Sequence, residues 1–176
     1  VRIGEEAGDP KTVWRVAVRP DDPQLGEASA LVTMVLFEDF ECPFCKQLQG
    51  AIKSVREKVG KDLRVVYKHN PLPFHKNASA AAEAAEAARA QGKFWELHDI
   101  LFANQDKLTA GLRALAEQAK LDMSQYDNAM SAHGARGRIA ADMEQAAALG
   151  ARGTPNIFIN GRKLVGAKDA ETLLKH

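Results

Sequence analysis

The sequence has little cysteine and no long apolar run. Only two of its 176 residues are cysteine, which is too few for a disulfide framework. No run approaches the roughly 20 apolar residues that a membrane-spanning helix needs, and the first ten residues lack the charged start and apolar stretch of a signal peptide. The 24 basic and 23 acidic residues leave a net charge of +1, which gives no overall attraction to polyanions. We therefore predict no membrane span in this chain and no nucleic-acid partner.

The residues that are present suffice for one globular domain. Hydrophobic residues make up 45% of the chain and charged residues 27%. This composition allows a sizeable core, and the length lies near the upper size of a single domain. Because the sequence begins with Val1 rather than methionine, we expect that a leader or a further domain has been removed before this residue.

The first part of the chain is predicted to contain three strands and one helix. VWRVAV at residues 13–18 alternates with period two, which predicts a first strand followed by a loop rich in Pro and Asp. LVTMVLFE at residues 31–38 is a nearly unbroken apolar run, typical of a central strand buried on both faces. Apolar residues at helical spacing then predict a helix that ends near Gly60, and residues 62–69 form another predicted strand.

The second part of the chain is predicted to be helical until a closing hairpin. An Ala-rich helix with Asn77 as its N-cap is followed by three or four more segments with helical spacing. Two short apolar runs that meet at Asn160-Gly161 predict a β-hairpin, and a short helix ends the chain. The pattern predicts an α/β fold in which a small mixed sheet is interrupted by a block of helices.

The two cysteines lie three residues apart in FEDFECPFCKQLQ, as Cys42 and Cys45. A disulfide between them closes so small a loop that it removes little entropy from the unfolded chain, which makes it a poor structural staple. A metal half-site would need further ligands, but the chain has no third cysteine and its five histidines form no close pair. We therefore predict no metal site, and dithiol chemistry is the favoured interpretation.

The position of the pair suits that chemistry. A cysteine in the first turn of a helix faces unpaired backbone N–H groups and the positive end of the helix dipole, both of which stabilise a thiolate. Cys42 has this position, and Cys45 lies one turn further on the same face, from where it can attack a mixed disulfide at Cys42. Pro43 fits the start of the helix because its missing N–H would be unpaired there in any case.

Three separated motifs together resemble the DsbA-like branch of the thioredoxin superfamily: FEDFECPFCKQLQ, PLPFHKNASAAAEAAEAARAQGKFWELHDILFANQ and GTPNIFINGRKLVGA. The resemblance implies a thioredoxin fold with an inserted helical domain. We accordingly divide the chain into an N-terminal strand and loop, a thioredoxin-like domain in two segments and an inserted helical domain: residues 1–30, residues 31–70 with 148–176, and residues 71–147.

The resemblance also implies site residues. Cys42 matches the exposed nucleophile of the family and Cys45 its resolving cysteine. Pro155 matches the cis-proline that packs beside the disulfide, and we expect the Thr154 backbone to lie within reach of the Cys42 sulfur. Thr154 is thus a candidate contact for an extended substrate chain that binds by strand addition.

The sequence departs from the better-known oxidase of the family at Phe44, where that enzyme has histidine. Phe44 offers no positive charge to a thiolate, and the nearby Glu38, Asp39 and Glu41 raise a thiol pKa, so we expect a less acidic Cys42 and a less oxidising disulfide. Glu38 has two interpretations: it relays protons to Cys45, or it is a solvated loop carboxylate, which the sequence favours.

The sequence therefore predicts a thiol–disulfide oxidoreductase that acts on protein or peptide cysteines, with a periplasmic or otherwise extracytoplasmic dithiol oxidase as the favoured interpretation. The chemistry requires no cofactor, but it requires a redox recycling partner. Two alternatives stay open: a disulfide reductase or isomerase, and a peptide-binding or chaperone-like module whose cysteines are incidental.

Overall fold

A computed structural model describes residues 12–176, and its centre is a five-stranded mixed sheet. The strands are β1 (Gln24–Leu25), β2 (Val32–Glu38), β3 (Leu63–His69), β4 (Asn156–Ile159) and β5 (Arg162–Val165). Their order across the sheet is β1-β3-β2-β4-β5. The central pair β2 and β3 is parallel, and every other neighbouring pair is antiparallel.

The described part of the chain has seven α-helices around the sheet: α1 (Pro43–Val59), α2 (Ala78–Ala90), α3 (Phe94–Ala103), α4 (Leu108–Gln118), α5 (Met123–Ala132), α6 (Arg136–Ala148) and α7 (Ala170–Leu174). Short 3₁₀ turns occupy Gly60–Asp62 and Gln105–Lys107. Helices α2 to α6 all lie between β3 and β4 in the chain. This confirms the predicted α/β class and the helical block, whereas the exact domain boundaries stay a prediction.

Strand β2 lies in the middle of the sheet, and its side chains are buried on both faces, as its apolar run predicts. Met34 and Leu36 pack in one apolar cluster with residues of α1, and Val35 and Phe37 pack in another on the opposite face. The hairpin between β4 and β5 turns at Asn160 and Gly161, whose φ angles are 45° and 82°. Positive φ at both residues is what a tight two-residue hairpin requires.

The predicted strand at residues 13–18 is wrong: residues 12–19 form no strand, and the first strand of the sheet is Gln24–Leu25, inside the predicted loop. The alternation reflects one-sided packing instead, since Trp14, Val16 and Val18 contact an apolar cluster of the sheet. The Trp14 N–H donates to the Gly161 carbonyl at 2.8 Å, but a hydrogen-bonded ladder does not follow. Residues 1–11 of the predicted N-terminal segment lie outside the described residues.

Candidate active site

Both cysteines lie where the carboxyl end of β2 leads into α1. Cys42 is the N-cap residue of α1, with φ −76° and ψ 121°, and Pro43 is the first residue of the helix. The Cys42 N–H donates to the Asp39 carbonyl at 3.0 Å, which fixes the short loop between strand and helix. Both cysteines are free thiols and belong to the apolar cluster that the helical block builds.

The expectation of an exposed Cys42 is wrong. Its relative exposure is only 3%, and that of Cys45 is 0%. The Thr154 carbonyl oxygen lies 3.5 Å from Cys42 Sγ and helps to cover it. Two aromatic side chains are open to solvent instead: Phe44, between the cysteines, is 60% exposed, and Phe74, whose ring contacts His75 beside Asp39, is 72% exposed.

The two thiols have opposite pKa shifts. A hydrogen bond from Cys45 is the largest cause that lowers the pKa of Cys42, which falls from 9.0 to about 6 although burial opposes the shift. The backbone N–H groups of Cys45 and Phe44 lower this pKa further. Desolvation raises the pKa of Cys45 far above its usual value. At neutral pH, Cys42 is therefore the thiolate and Cys45 the protonated partner.

Thr154 and Pro155 lie beside Cys42, although 112 residues separate the first of them from it in the chain. The Thr154-Pro155 peptide bond is cis, and the Thr154 carbonyl faces Cys42 Sγ, which confirms the placement expected from the sequence. Thr154 Oγ1 is buried without a hydrogen-bond partner among the described residues. This hydroxyl is thus available to donate to a thiolate at Cys42.

Glu38 is buried, so its interpretation as a solvated loop carboxylate is wrong: its exposure is 1%. Desolvation is the largest cause that raises its pKa, from 4.5 to about 8. Gln49 Nε2 donates to Glu38 Oε1 and to the Cys45 carbonyl, each at 2.9 Å. The charge of Glu38 in turn raises the pKa of Cys45. Gln49 therefore connects the buried carboxyl with the backbone of the buried cysteine.

Asp39 and Glu41 are occupied by hydrogen-bond donors. Asp39 Oδ2 accepts from the Leu72 N–H at 2.8 Å and lies 2.7 Å from His75 Nδ1. Glu41 accepts from the backbone N–H and side-chain amide of Asn77, so Asn77 stands at the N-cap position of α2 without capping it by its side chain. Neither carboxylate is among the main causes of the Cys42 pKa. The hydrogen bonds of Asp39 and Glu41 instead connect the active-site loop to the start of the helical block.

Gln105 is a site residue that the sequence did not indicate. Its Nε2 donates to the carbonyls of Phe40 and Cys42, each at 2.9 Å. Gln105 lies in the 3₁₀ turn between α3 and α4, 63 residues from Cys42. A lone glutamine before a helix carries no sequence signal of such a contact. It holds the active-site loop against the helical block.

Within residues 12–176, no group of three or more His, Cys, Asp or Glu side chains could hold a metal ion. In the same part of the chain, no helix has the length and apolar character needed to cross a membrane.

The fold and the dithiol site define a thiol–disulfide oxidoreductase of the thioredoxin type. A family model described as thioredoxin matches residues 19–176, and the chain belongs to this family. Curated relatives carry the name Na(+)/H(+) antiporter NhaA. NhaA 1 of Mycolicibacterium gilvum is 38% identical over 182 residues, with 99% of this chain and 30% of that protein covered. NhaA 3 of Salinispora tropica is 42% identical over 161 residues, with 90% and 24% covered. The chain thus spans less than a third of the length of these relatives.

Solved structures share the fold. A thioredoxin-like oxidoreductase from Silicibacter pomeroyi is 30% identical, with a TM-score of 0.78 and 89% of this chain and 90% of that chain covered. BdbD from Bacillus subtilis has a TM-score of 0.81 at 22% identity, with 93% and 94% covered. A periplasmic thioredoxin-like protein from Salmonella enterica has a TM-score of 0.70 at 25% identity, with 91% and 90% covered. The predicted thioredoxin-type fold and the DsbA-like resemblance are confirmed.

Proposed function

We propose that the chain is an extracytoplasmic dithiol oxidase that accepts electrons from protein or peptide thiols. The observation that supports this most is the contrast between the two thiols, with the pKa of Cys42 at about 6 and that of Cys45 raised. A low thiolate pKa stabilises the reduced form of a cysteine pair, which makes its disulfide more oxidising. The pKa of Cys42 lies between the pKa of the reactive cysteine in thioredoxin, about 7, and that in DsbA, about 3.5.

The reaction begins with the Cys42–Cys45 disulfide. A substrate thiolate attacks Cys42 Sγ, so that a mixed disulfide forms while the bond to Cys45 breaks and Cys45 leaves as a thiolate that takes up a proton. A second substrate thiolate then attacks the substrate sulfur of the mixed disulfide and releases Cys42 as a thiolate. Two electrons pass from the substrate dithiol to the cysteine pair. In the opposite direction, Cys45 attacks the mixed disulfide and releases the partner.

Glu38 is the proposed proton donor to Cys45. A carboxyl group with a pKa of about 8 holds its proton at neutral pH, and it is buried close enough for its charge to act on the Cys45 thiol. A thiolate at Cys45 would be an uncompensated charge in an apolar interior, which is costly. Transfer of the Glu38 proton removes that charge from the sulfur when the disulfide opens.

The substrate chain is proposed to lie along Thr154 and Pro155. The Thr154 backbone lies beside Cys42, so a strand that pairs there would bring its own cysteine to the nucleophile. The exposed rings of Phe44 and Phe74 offer apolar surface to such a substrate. The extracytoplasmic location is supported by the Salmonella enterica relative, whose name describes it as periplasmic. A redox recycling partner would then reoxidise the cysteine pair by accepting two electrons.

Parallel assays of oxidation and reduction test this function against its alternatives. We expect the oxidised protein to accelerate disulfide formation in a reduced, unfolded substrate protein, and to do so more strongly than the reduced protein cleaves insulin disulfides. The Cys42→Ser variant should lose both activities, because it lacks the thiolate that forms the mixed disulfide.

Each alternative would give a different result. Faster insulin cleavage than substrate oxidation would favour a reductase. A Cys42→Ser variant that still assists refolding as well as the wild-type protein would identify a binding module with incidental cysteines.

A further inference from the structure

A cavity of about 550 Å³ opens between helices α1 and α3, and neither the two cysteines nor Thr154 belong to its wall. We call it the α1–α3 cavity. Its wall is largely apolar and aromatic, and includes Leu36, Ile52, Val65, Trp95 and Phe102. Small-molecule sites in proteins have volumes of about 300–1,000 Å³ and walls of this kind, with a few polar groups that orient the ligand.

Three cations lie on the α1 side of this cavity: Lys46, Lys53 and Arg56. Spacings of seven and ten residues from Lys46 place them on one face of the helix. Throughout the described residues, none of the three forms an ion pair. The one carboxylate in the wall, Asp99, lies 2.8 Å from His98 Nδ1. The charge at the mouth therefore favours an anion.

His98 belongs to the wall, but it offers a ligand no free acceptor. The residue is only 3% exposed, and its Nε2 is buried without a hydrogen-bond partner in the described part of the chain, so a ligand in the cavity does not reach this atom. The His98 ring packs against Trp95 and Phe102, with ring centroids 4.9 Å apart in each pair, and so supports the aromatic part of the wall.

We propose that the α1–α3 cavity binds a small organic anion with an apolar, ring-containing body. The anionic group lies against Lys53 and Arg56, and the apolar body contacts Trp95 and Phe102. This site is separate from the proposed substrate position at Thr154, and binding there requires no thiol chemistry.

The probe for this proposal is 1-anilinonaphthalene-8-sulfonate, an aromatic sulfonate, titrated into the folded protein and followed by its fluorescence. We expect saturable binding of one molecule per chain. Gly50 lines the cavity, and a Cβ added there meets no atom within 4 Å, so Gly50→Leu should fill the mouth without disturbing the fold and should abolish saturable binding.

Charge variants test the anion site. Lys53→Glu should weaken binding about tenfold, because it replaces an attraction by a repulsion at the mouth. Lys58→Glu is the matched control: it makes the same charge change on α1 at an exposed residue outside the cavity wall, and should leave binding unchanged.

A third variant distinguishes the cavity from the exposed aromatic surface near the cysteines. Phe74→Ser removes a ring that is open to solvent there, and it should not change the affinity. The proposal is overturned if Phe74→Ser abolishes the binding while Gly50→Leu retains it, if Lys53→Glu and Lys58→Glu behave alike, or if no saturable binding is detected.

Discussion

Replacing Cys45 with alanine is expected to raise the pKa of Cys42 from about 6 toward its usual 9.0 and to trap mixed disulfides at Cys42. The first effect follows because the hydrogen bond from Cys45 is the largest cause of the lowered pKa. A rise of one to two pKa units reduces the thiolate fraction at pH 6 by about fivefold to fiftyfold. The second effect follows because the variant has no thiol to release a bound partner.

The Cys45→Ser variant separates the two effects. A serine hydroxyl can still donate a hydrogen bond to the Cys42 thiolate, but it cannot resolve a mixed disulfide. Both variants should therefore accumulate mixed disulfides with a disulfide substrate, whereas only Cys45→Ala should show the large pKa shift. The pH dependence of alkylation by iodoacetamide, with the labelled peptide identified by mass, measures the pKa of Cys42. Equal pKa values in wild type and Cys45→Ala would show that Cys45 does not stabilise the thiolate.

Replacing Glu38 with glutamine is expected to stabilise the reduced protein by about 2–4 kcal/mol near pH 7.5. The pKa of Glu38 is raised from 4.5 to about 8 in the fold. Between these values the unfolded chain loses the proton that the folded chain keeps, so stability falls as pH rises through this window, by about 1.4 kcal/mol per unit. Glutamine is neutral in both states and removes this loss, while its amide oxygen can still accept from Gln49.

Urea unfolding of the reduced protein at pH 5 and pH 7.5 measures this effect. The gain should be small at pH 5 and large at pH 7.5. Glu57→Gln, at an exposed position on α1, is the matched control and should change little at either pH. A gain that is the same at both pH values, or a loss of stability at pH 7.5, would contradict the raised pKa of Glu38.

The parts of the site that depend on local pattern could be predicted from the sequence. Cys42 and Cys45 lie at the start of α1 because Pro43 and the preceding apolar strand determine where the helix begins. The Asn160-Gly161 turn could also be predicted from local pattern, because Asn and Gly both accept the positive φ that a two-residue hairpin turn requires. The position of Thr154 beside Cys42 came from the resemblance to a family and not from the local pattern.

Features that depend on long-range packing could not be predicted. Glu38 ends an apolar strand, but its burial is set by the elements that cover that strand end. Gln105 reaches Cys42 from a turn 63 residues away, and no periodicity indicates such a contact. The false strand at residues 13–18 shows the same limit, because period-two burial is shared by a true strand and by a segment that packs on one side without a ladder.

The reduction potential of the Cys42–Cys45 pair tests the central claim most directly, and equilibration with glutathione at known ratios measures it. We expect a value between those of thioredoxin, about −270 mV, and DsbA, about −120 mV, because the lowered pKa of Cys42 stabilises the reduced form while Phe44 adds no positive charge. Phe44→His should raise the potential. A potential at or below about −270 mV would contradict the proposed oxidase, because such a disulfide would not draw electrons from most protein thiols.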